Sequence, residues 1–154
     1  MDLKELYQEI ILDHGKNPRN KKKCDGFNKD AKGNNPLCGD KVHVFLKINK
    51  EKKVEDISFE GEGCAISMAS ASIMTETIKG KDFNLAKKIL ENFLDMLKEG
   101  SKLNINSLST DENTTMMSLS GVKRFPMRVK CATLAWHTFI EAVEGNKKIV
   151  NTEN

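Results

Sequence analysis

Four side chains in this 154-residue chain combine sulfur and oxygen donors at places where the backbone can aim them: Cys38, Asp40, Cys64 and Cys131. Cys38 and Asp40 stand two residues apart in Asn35-Pro36-Leu37-Cys38-Gly39-Asp40, so a thiol and a carboxylate can face one point. Cys64 follows the corner Gly61-Glu62-Gly63 at a predicted helix start, and Cys131 falls within the first turns of the last predicted helix. Positive helix ends stabilise thiolates. Three thiolates and a carboxylate gathered without a cation would repel one another, whereas Zn²⁺, a d¹⁰ ion that accepts both donors, turns them into a tetrahedral S₃O site. Spacing leaves a competing reading open. There is no CxxC pair, the intervals are too long for a zinc finger, and Cys64 and Cys131 also suit small buried apolar positions.

The elements that must position these residues follow from hydrophobic periodicity. Leu3, Leu6, Tyr7, Ile10 and Ile11 predict an opening amphipathic helix capped by Asp2 and ended by His14-Gly15 and Asn17-Pro18. The polar stretch 16–35 reads as a long mobile loop delivering the chain to Cys38. Val42, Val44, Leu46 and Ile48 alternate with His43, Phe45 and Lys47 as a half-buried strand, and Ile57 and Phe59 mark its antiparallel hairpin partner. From Cys64 to Met74 a run rich in Ala and Ser predicts a closely packing helix, ended by Gly80. Asp82 is placed to cap a helix carrying Phe83, Ala86, Leu90, Phe93, Leu94 and Leu97 up to Gly100. The stretch 101–112 reads as irregular, 114–120 as a short helix ended by Gly121, and Pro126 as the first turn of a final helix stopped at Gly145. About 146–154 reads as a frayed tail. The expected fold class is α+β, a small antiparallel sheet packed against several helices, in one domain spanning 1–154.

Composition narrows the function classes. Against 22 Asp+Glu stand 25 Lys+Arg, mostly lysines mixed with acids, for a net charge of only +3, which reads as a solvated exterior and not as a nucleic-acid groove. The charged N-terminus and the lack of a long apolar run exclude a secretory signal and a membrane span, so a cytoplasmic protein is expected. In that reducing compartment four cysteines point to metal or redox chemistry ahead of disulfides.

Three cysteine motifs in order, NPLCGD at 35–40, GEGCAISMASASIM at 61–74 and RVKCATLAW at 128–136, together with LYQEIILDHGKNPRN at 6–20, closely resemble the SufU family. These are zinc-dependent sulfurtransferases within the IscU-like (NifU N-terminal-like) superfamily of iron–sulfur assembly proteins. The resemblance implies an IscU-like fold, with Cys38, Asp40, Cys64 and Cys131 holding one Zn²⁺ per chain. It further implies that Cys38 accepts sulfane sulfur from the persulfide of a SufS-type, pyridoxal-phosphate cysteine desulfurase and relays it to a downstream iron–sulfur assembly scaffold. In that family a histidine of the desulfurase displaces the acceptor thiolate from zinc on docking, so the thiolate is released only at the correct partner. Arg128, three residues before Cys131 and so on the same helical face, is a candidate to steady the thiolate, with a plain surface arginine as its competing reading.

The main alternative is an IscU-type scaffold, which assembles a transient iron–sulfur cluster on its own ligands. Scaffolds carry a histidine directly before the last ligand cysteine, where Lys130 stands here, and an LPPVK segment, where Phe125 to Lys130 reads FPMRVK. A purely structural zinc domain is the third reading. His14 reads as a partner for a helix dipole, His43 and His137 as surface residues, and Cys24 as a free loop thiol open to oxidation. Lys21, Lys22 and Lys23 read as a solvated charge run, or as a patch that steers the desulfurase.

Overall fold

The alternation from Val42 to Ile48 becomes the central strand of a four-stranded sheet. In the computed structural model, which describes residues 2–99, 103, 105–145 and 149–152, this strand is β2 (Asp40–Ile48). It pairs antiparallel with β3 (Val54–Glu62) on one side and with β1 (Lys29–Asn35) on the other, and β4 (Ile149–Asn151) runs parallel along the outer edge of β1. The spatial order is β3-β2-β1-β4. Val42, Val44, Leu46, Ile57 and Phe59 are buried together on one face. Against that face lie α2 (Ala65–Ile78) and α5 (Pro126–Glu144). The small side chains of α2 allow a close approach: Ser70 Oγ accepts from Trp136 Nε1 at 3.1 Å, and Phe93 lies 4.9 Å from the Trp136 ring. Phe93 belongs to α3 (Phe83–Glu99), which starts after Asp82, whose carboxylate accepts the Leu85 N–H at 2.8 Å. The opening helix α1 (Leu3–Lys16), capped by Asp2, packs on α2.

Three expectations need correction. The stretch 16–35 is not one mobile loop, because residues 29–35 form β1. Its inward positions are Ala31, Gly33 and Asn35, so no alternation of large apolar residues marks it. A Cβ at Gly33 would collide with Thr138 Oγ1 of α5, which explains why so small a residue stands there. The part before β1 also covers the outer sheet face: Phe27 meets Phe45 edge-on at 5.0 Å, and the Lys23 ammonium lies 5.1 Å from the Phe27 ring. Secondly, the sheet is not purely antiparallel. Residues 149–151 of the expected frayed tail pair with β1, in the register Lys32↔Ile149, Gly33↔Val150, Asn34↔Asn151, while 146–148 and 153–154 lie outside the described residues.

Thirdly, the short helix expected at 114–120 begins earlier and ends later. Ser109 and Glu112 form a reciprocal capping box that starts α4 (Thr110–Met117), and a 3₁₀ segment continues through Gly121 to Arg124. Of the stretch expected to be irregular, 101, 102 and 104 lie outside the described residues. Among the described residues no helix is long and apolar enough to cross a membrane.

Candidate metal centre

Cys38 sits on the tip of the β1–β2 hairpin, where its N–H donates to the Asn35 carbonyl at 3.2 Å and Gly39 turns the chain with φ +69°. That turn aims the thiol across the end of the sheet. Asn35 and Asp40 form the closing rung of the hairpin, and both are buried. Cys131 projects from the second turn of α5 and is wholly buried. Ligand atoms of Cys38, Asp40 and Cys131 all lie within 4.8 Å of one another. For comparison, two sulfurs on one tetrahedral zinc stand about 3.8 Å apart, given Zn–S bonds of about 2.3 Å.

Cys64 falls outside that group of three. It is the N-cap of α2, and its Sγ accepts the Ser67 N–H at 3.4 Å. The thiol nevertheless lies against Cys131, and the Cys64 N–H donates to Asp40 Oδ1 at 2.9 Å. Gly63 makes this approach possible. With φ +152°, it places bare backbone against Asp40, and a Cβ there would collide with the Asp40 carboxylate.

Asn35 fixes the other carboxylate oxygen: its Nδ2 donates to Asp40 Oδ2 at 3.2 Å and to Cys131 Sγ at 3.4 Å. Burial pushes the Cys131 thiol well above its usual range, and hydrogen bonds with Asp40, Cys38 and Cys64 add to the shift. A buried thiol of this kind gives up its proton more readily when a neighbouring cation stabilises the thiolate left behind. Arg128 supplies one from outside: its exposed guanidinium faces the thiols, and the charge of Cys64, then a hydrogen bond with Cys131, raise its already high pKa. Sulfur donors with one oriented carboxylate suit zinc, and a carboxylate whose two oxygens are each held by an N–H is poised to donate its remaining lone pairs.

The groups expected to be bland divide. His43 is half-buried, paired with Asp30 at 2.7 Å and stacked on Phe45, and His137 is exposed; neither belongs to the Cys38, Asp40 and Cys131 group. Cys24 is not an open loop thiol: it is 2% exposed, with its N–H donating to Ser58 Oγ. His14 is no charged partner for a helix dipole. It is buried, its Nδ1 sits 2.7 Å from Ser72 Oγ, and burial, followed by the Arg19 charge, lowers its pKa. All four cysteines are free. Sequence reasoning passed over Asn35, Gly63 and Thr152, whose hydroxyl donates to Asn35 Oδ1 at 3.0 Å. Asn35 and Gly63 stand inside the cysteine motifs, whereas nothing near Thr152 marks it.

Beside the thiols opens a groove of ≈ 1540 Å³. Leu3, Tyr7 and Ile11 of α1 wall one side, Phe125 and Met127 the other, and Cys38 and Cys64 open onto it.

Comparison with known proteins places this architecture. The chain is 44% identical over 145 residues to the zinc-dependent sulfurtransferase SufU of Bacillus subtilis, covering 92% of each. It is 37% identical to the iron–sulfur cluster assembly scaffold protein IscU of Streptococcus pyogenes, over 92% of this chain and 85% of that one. A crystal structure described as an iron–sulfur cluster assembly scaffold protein for the SUF system, from Fervidobacterium islandicum AW-1, superposes with a TM-score of 0.77 at 34% identity, covering 90% of this chain and 97% of the other. Since the model of the NifU-like N-terminal domain matches residues 6–132, the chain belongs to the NifU-like N-terminal domain family, with the fold of the IscU-like proteins.

Proposed function

We propose that this protein is a zinc-dependent sulfurtransferase of iron–sulfur cluster assembly, with Cys38 as the sulfur acceptor and Cys38, Asp40, Cys64 and Cys131 as the zinc ligands, one ion per chain. The observation that carries this reading is the inequality of the donors. Asp40 and Cys131 are buried and held by neighbouring hydrogen-bond donors, while Cys38 is half-exposed on a hairpin tip beside the groove. Zinc, when bound, supplies positive charge that keeps the ligand thiols deprotonated at neutral pH. Asp40 and Cys131 serve as holders. Cys64 joins them by turning its Sγ from the Ser67 N–H toward Cys131, its neighbour.

The donor is a pyridoxal-phosphate cysteine desulfurase of the SufS type, docking in the groove. Apolar walls with Lys4, Lys123 and Arg124 on the margin suit an interface with an apolar centre and acidic periphery. In the transfer, the Cys38 thiolate attacks the terminal sulfur of the desulfurase persulfide. A new S–S bond forms on Cys38 as the donor S–S bond breaks, the electron pair leaves on the donor cysteine, and no external oxidant or reductant is consumed. Arg128 stands where its positive charge steadies the attacking thiolate and the persulfide that replaces it. The sulfur then passes to an iron–sulfur assembly scaffold.

The experiment is to measure metal content of the purified protein together with its effect on sulfide production by its cognate desulfurase. One zinc per chain with strong stimulation, lost in Cys38→Ala, is the expected result; unchanged stimulation by Cys38→Ala would leave a structural zinc domain instead. Relatives named as scaffolds favour a second reading, an IscU-type scaffold carrying a transient iron–sulfur cluster. Lys130 before Cys131 weighs against it, since a lysine is charged at neutral pH and a poor ligand. Anaerobic reconstitution with iron and sulfide separates the two: a stable cluster that transfers intact to an apo-ferredoxin would establish the scaffold.

A further inference from the structure

We infer that Thr152, from the C-terminal strand segment, is a positioning residue of the metal centre, acting through Asn35. The inference rests on the zinc reading above. Its basis is a continuous chain of donors and acceptors from the last described residue to two proposed ligands.

The parallel pairing of β4 with β1 ends at Asn34↔Asn151, and the Thr152 N–H continues it by donating to the Asn34 carbonyl at 3.2 Å. This register sets Thr152 beside Asn35, whose Oδ1 accepts the Thr152 hydroxyl at 3.0 Å. An asparagine amide has one acceptor end and one end with two N–H donors. With Oδ1 turned to Thr152, both donors point into the centre, one to Asp40 Oδ2 at 3.2 Å and one to Cys131 Sγ at 3.4 Å.

The opposite orientation would set the amide oxygen against a carboxylate and a thiol sulfur, in a site where Asn35 is 0% exposed and no water can relieve the repulsion. The Asp40 carboxylate, which can only accept, therefore selects the productive orientation, and the Thr152 hydroxyl, by donating to Oδ1, holds it. Partners beyond the ligands orient them and tune their donor strength, and losing one typically costs about 10- to 100-fold in metal affinity. Asn35 is such a partner to two ligands at once. Thr152 is one step further out, so its loss should cost less.

The test uses the full chain loaded with Zn²⁺ or Co²⁺. Thr152→Val keeps the side-chain shape and removes the donor, while Thr152→Ser keeps the donor. Zinc release to a competing chelator is expected to quicken by ~3- to 10-fold in Thr152→Val and by ~10- to 100-fold in Asn35→Ala. The sulfur-to-cobalt charge-transfer band should shift in Thr152→Val and return in Thr152→Ser. The double variant Asn35→Ala/Thr152→Val should release zinc no faster than Asn35→Ala alone, because Thr152 acts only through Asn35. Parent-like release and spectrum in Thr152→Val would overturn the inference, as would additive effects in the double variant. It would equally fail if Thr152→Ser behaved like Thr152→Val. A parent protein that takes up neither metal would overturn the zinc reading itself, and this inference with it.

Discussion

Asn35 and Asp40 are the closing cross-strand pair of the β1–β2 hairpin, and the Asn35 amide donates to the Asp40 carboxylate at 3.2 Å across it. Residues directly opposite in an antiparallel ladder point to the same side, so the hairpin that displays Cys38 also buries Asp40 beneath it. Cys38 and Asp40 are thus coupled by one turn.

Asp40→Ala removes the carboxylate and also leaves the Cys64 N–H and one N–H of the Asn35 amide without an acceptor. Zinc affinity should fall by ~100-fold or more, and the metal-free protein should lose about 1–3 kcal/mol for the buried donors left unpaired. Asp40→Asn is no remedy, since one end of its amide would present N–H groups to a donor. Metal analysis after dialysis, with thermal melts of the metal-free forms, checks both parts. Full zinc content in Asp40→Ala would count against its assignment as a ligand.

Gly63 and Gly39 both have positive φ, at +152° and +69°, yet only one is crowded. A Cβ at Gly39 meets nothing within 4 Å, whereas one at Gly63 collides with the Asp40 side chain and backbone. Gly39→Ala should therefore cost only the left-handed backbone penalty, about 1–2 kcal/mol, and keep its zinc. Gly63→Ala should cost more than that and lose zinc as well, because Asp40 must move. Denaturant titrations and metal content of the two variants together decide this.

What was legible in the sequence, and what was not, follows the same physics. The strands carrying Val42 to Ile48 and Ile57 to Phe59, the helix after Gly63 and the last helix from Pro126 all announce themselves by periodic apolar residues or by breakers. β1 does not, because its inward residues Ala31, Gly33 and Asn35 are small or polar to admit α5 and to reach Asp40 and Cys131. The cysteine motifs exposed three thiols and Asp40, but the chain of contacts through Asn35 to Thr152 depends on a three-residue parallel strand far along the sequence. His14 was misread for a similar reason: its partner Ser72 lies 58 residues away.

Arg128 is exposed and faces the thiols of Cys64 and Cys131. As a source of charge and not a ligand, it should be dispensable for zinc and felt in transfer. Arg128→Ala is expected to retain full metal content and slow sulfur acceptance by about 2- to 10-fold, with Arg128→Lys recovering part of the loss. Stopped-flow alkylation or persulfide transfer at increasing salt is the measurement. The difference between parent and Arg128→Ala should narrow as salt screens the charge, and a variant that transfers at the parental rate at low salt would remove Arg128 from the mechanism.

His14 ties the end of α1 to the middle of α2, with its Nδ1 2.7 Å from Ser72 Oγ, which also accepts the Arg19 N–H at 2.8 Å. Burial first, and then the nearby Arg19 charge, lower its pKa below the usual 6.5, while Glu76 and Asp13 pull the other way without prevailing. A histidine with a lowered folded pKa binds fewer protons folded than unfolded. Its contribution to stability is therefore complete above the unfolded value of 6.5 and declines as pH falls from 6.5 toward the folded value, where the decline levels off. The slope in that window is at most about 1.4 kcal/mol per pH unit for one proton. Since α1 forms a wall of the groove, the loss should loosen that wall as well. Denaturant unfolding of the metal-free protein between about pH 5 and pH 7, where ligand release cannot contribute, should show the slope in the parent and a shallower one in His14→Gln. An imidazole titration by NMR with its midpoint above 6.5 would reverse the sign and refute the prediction.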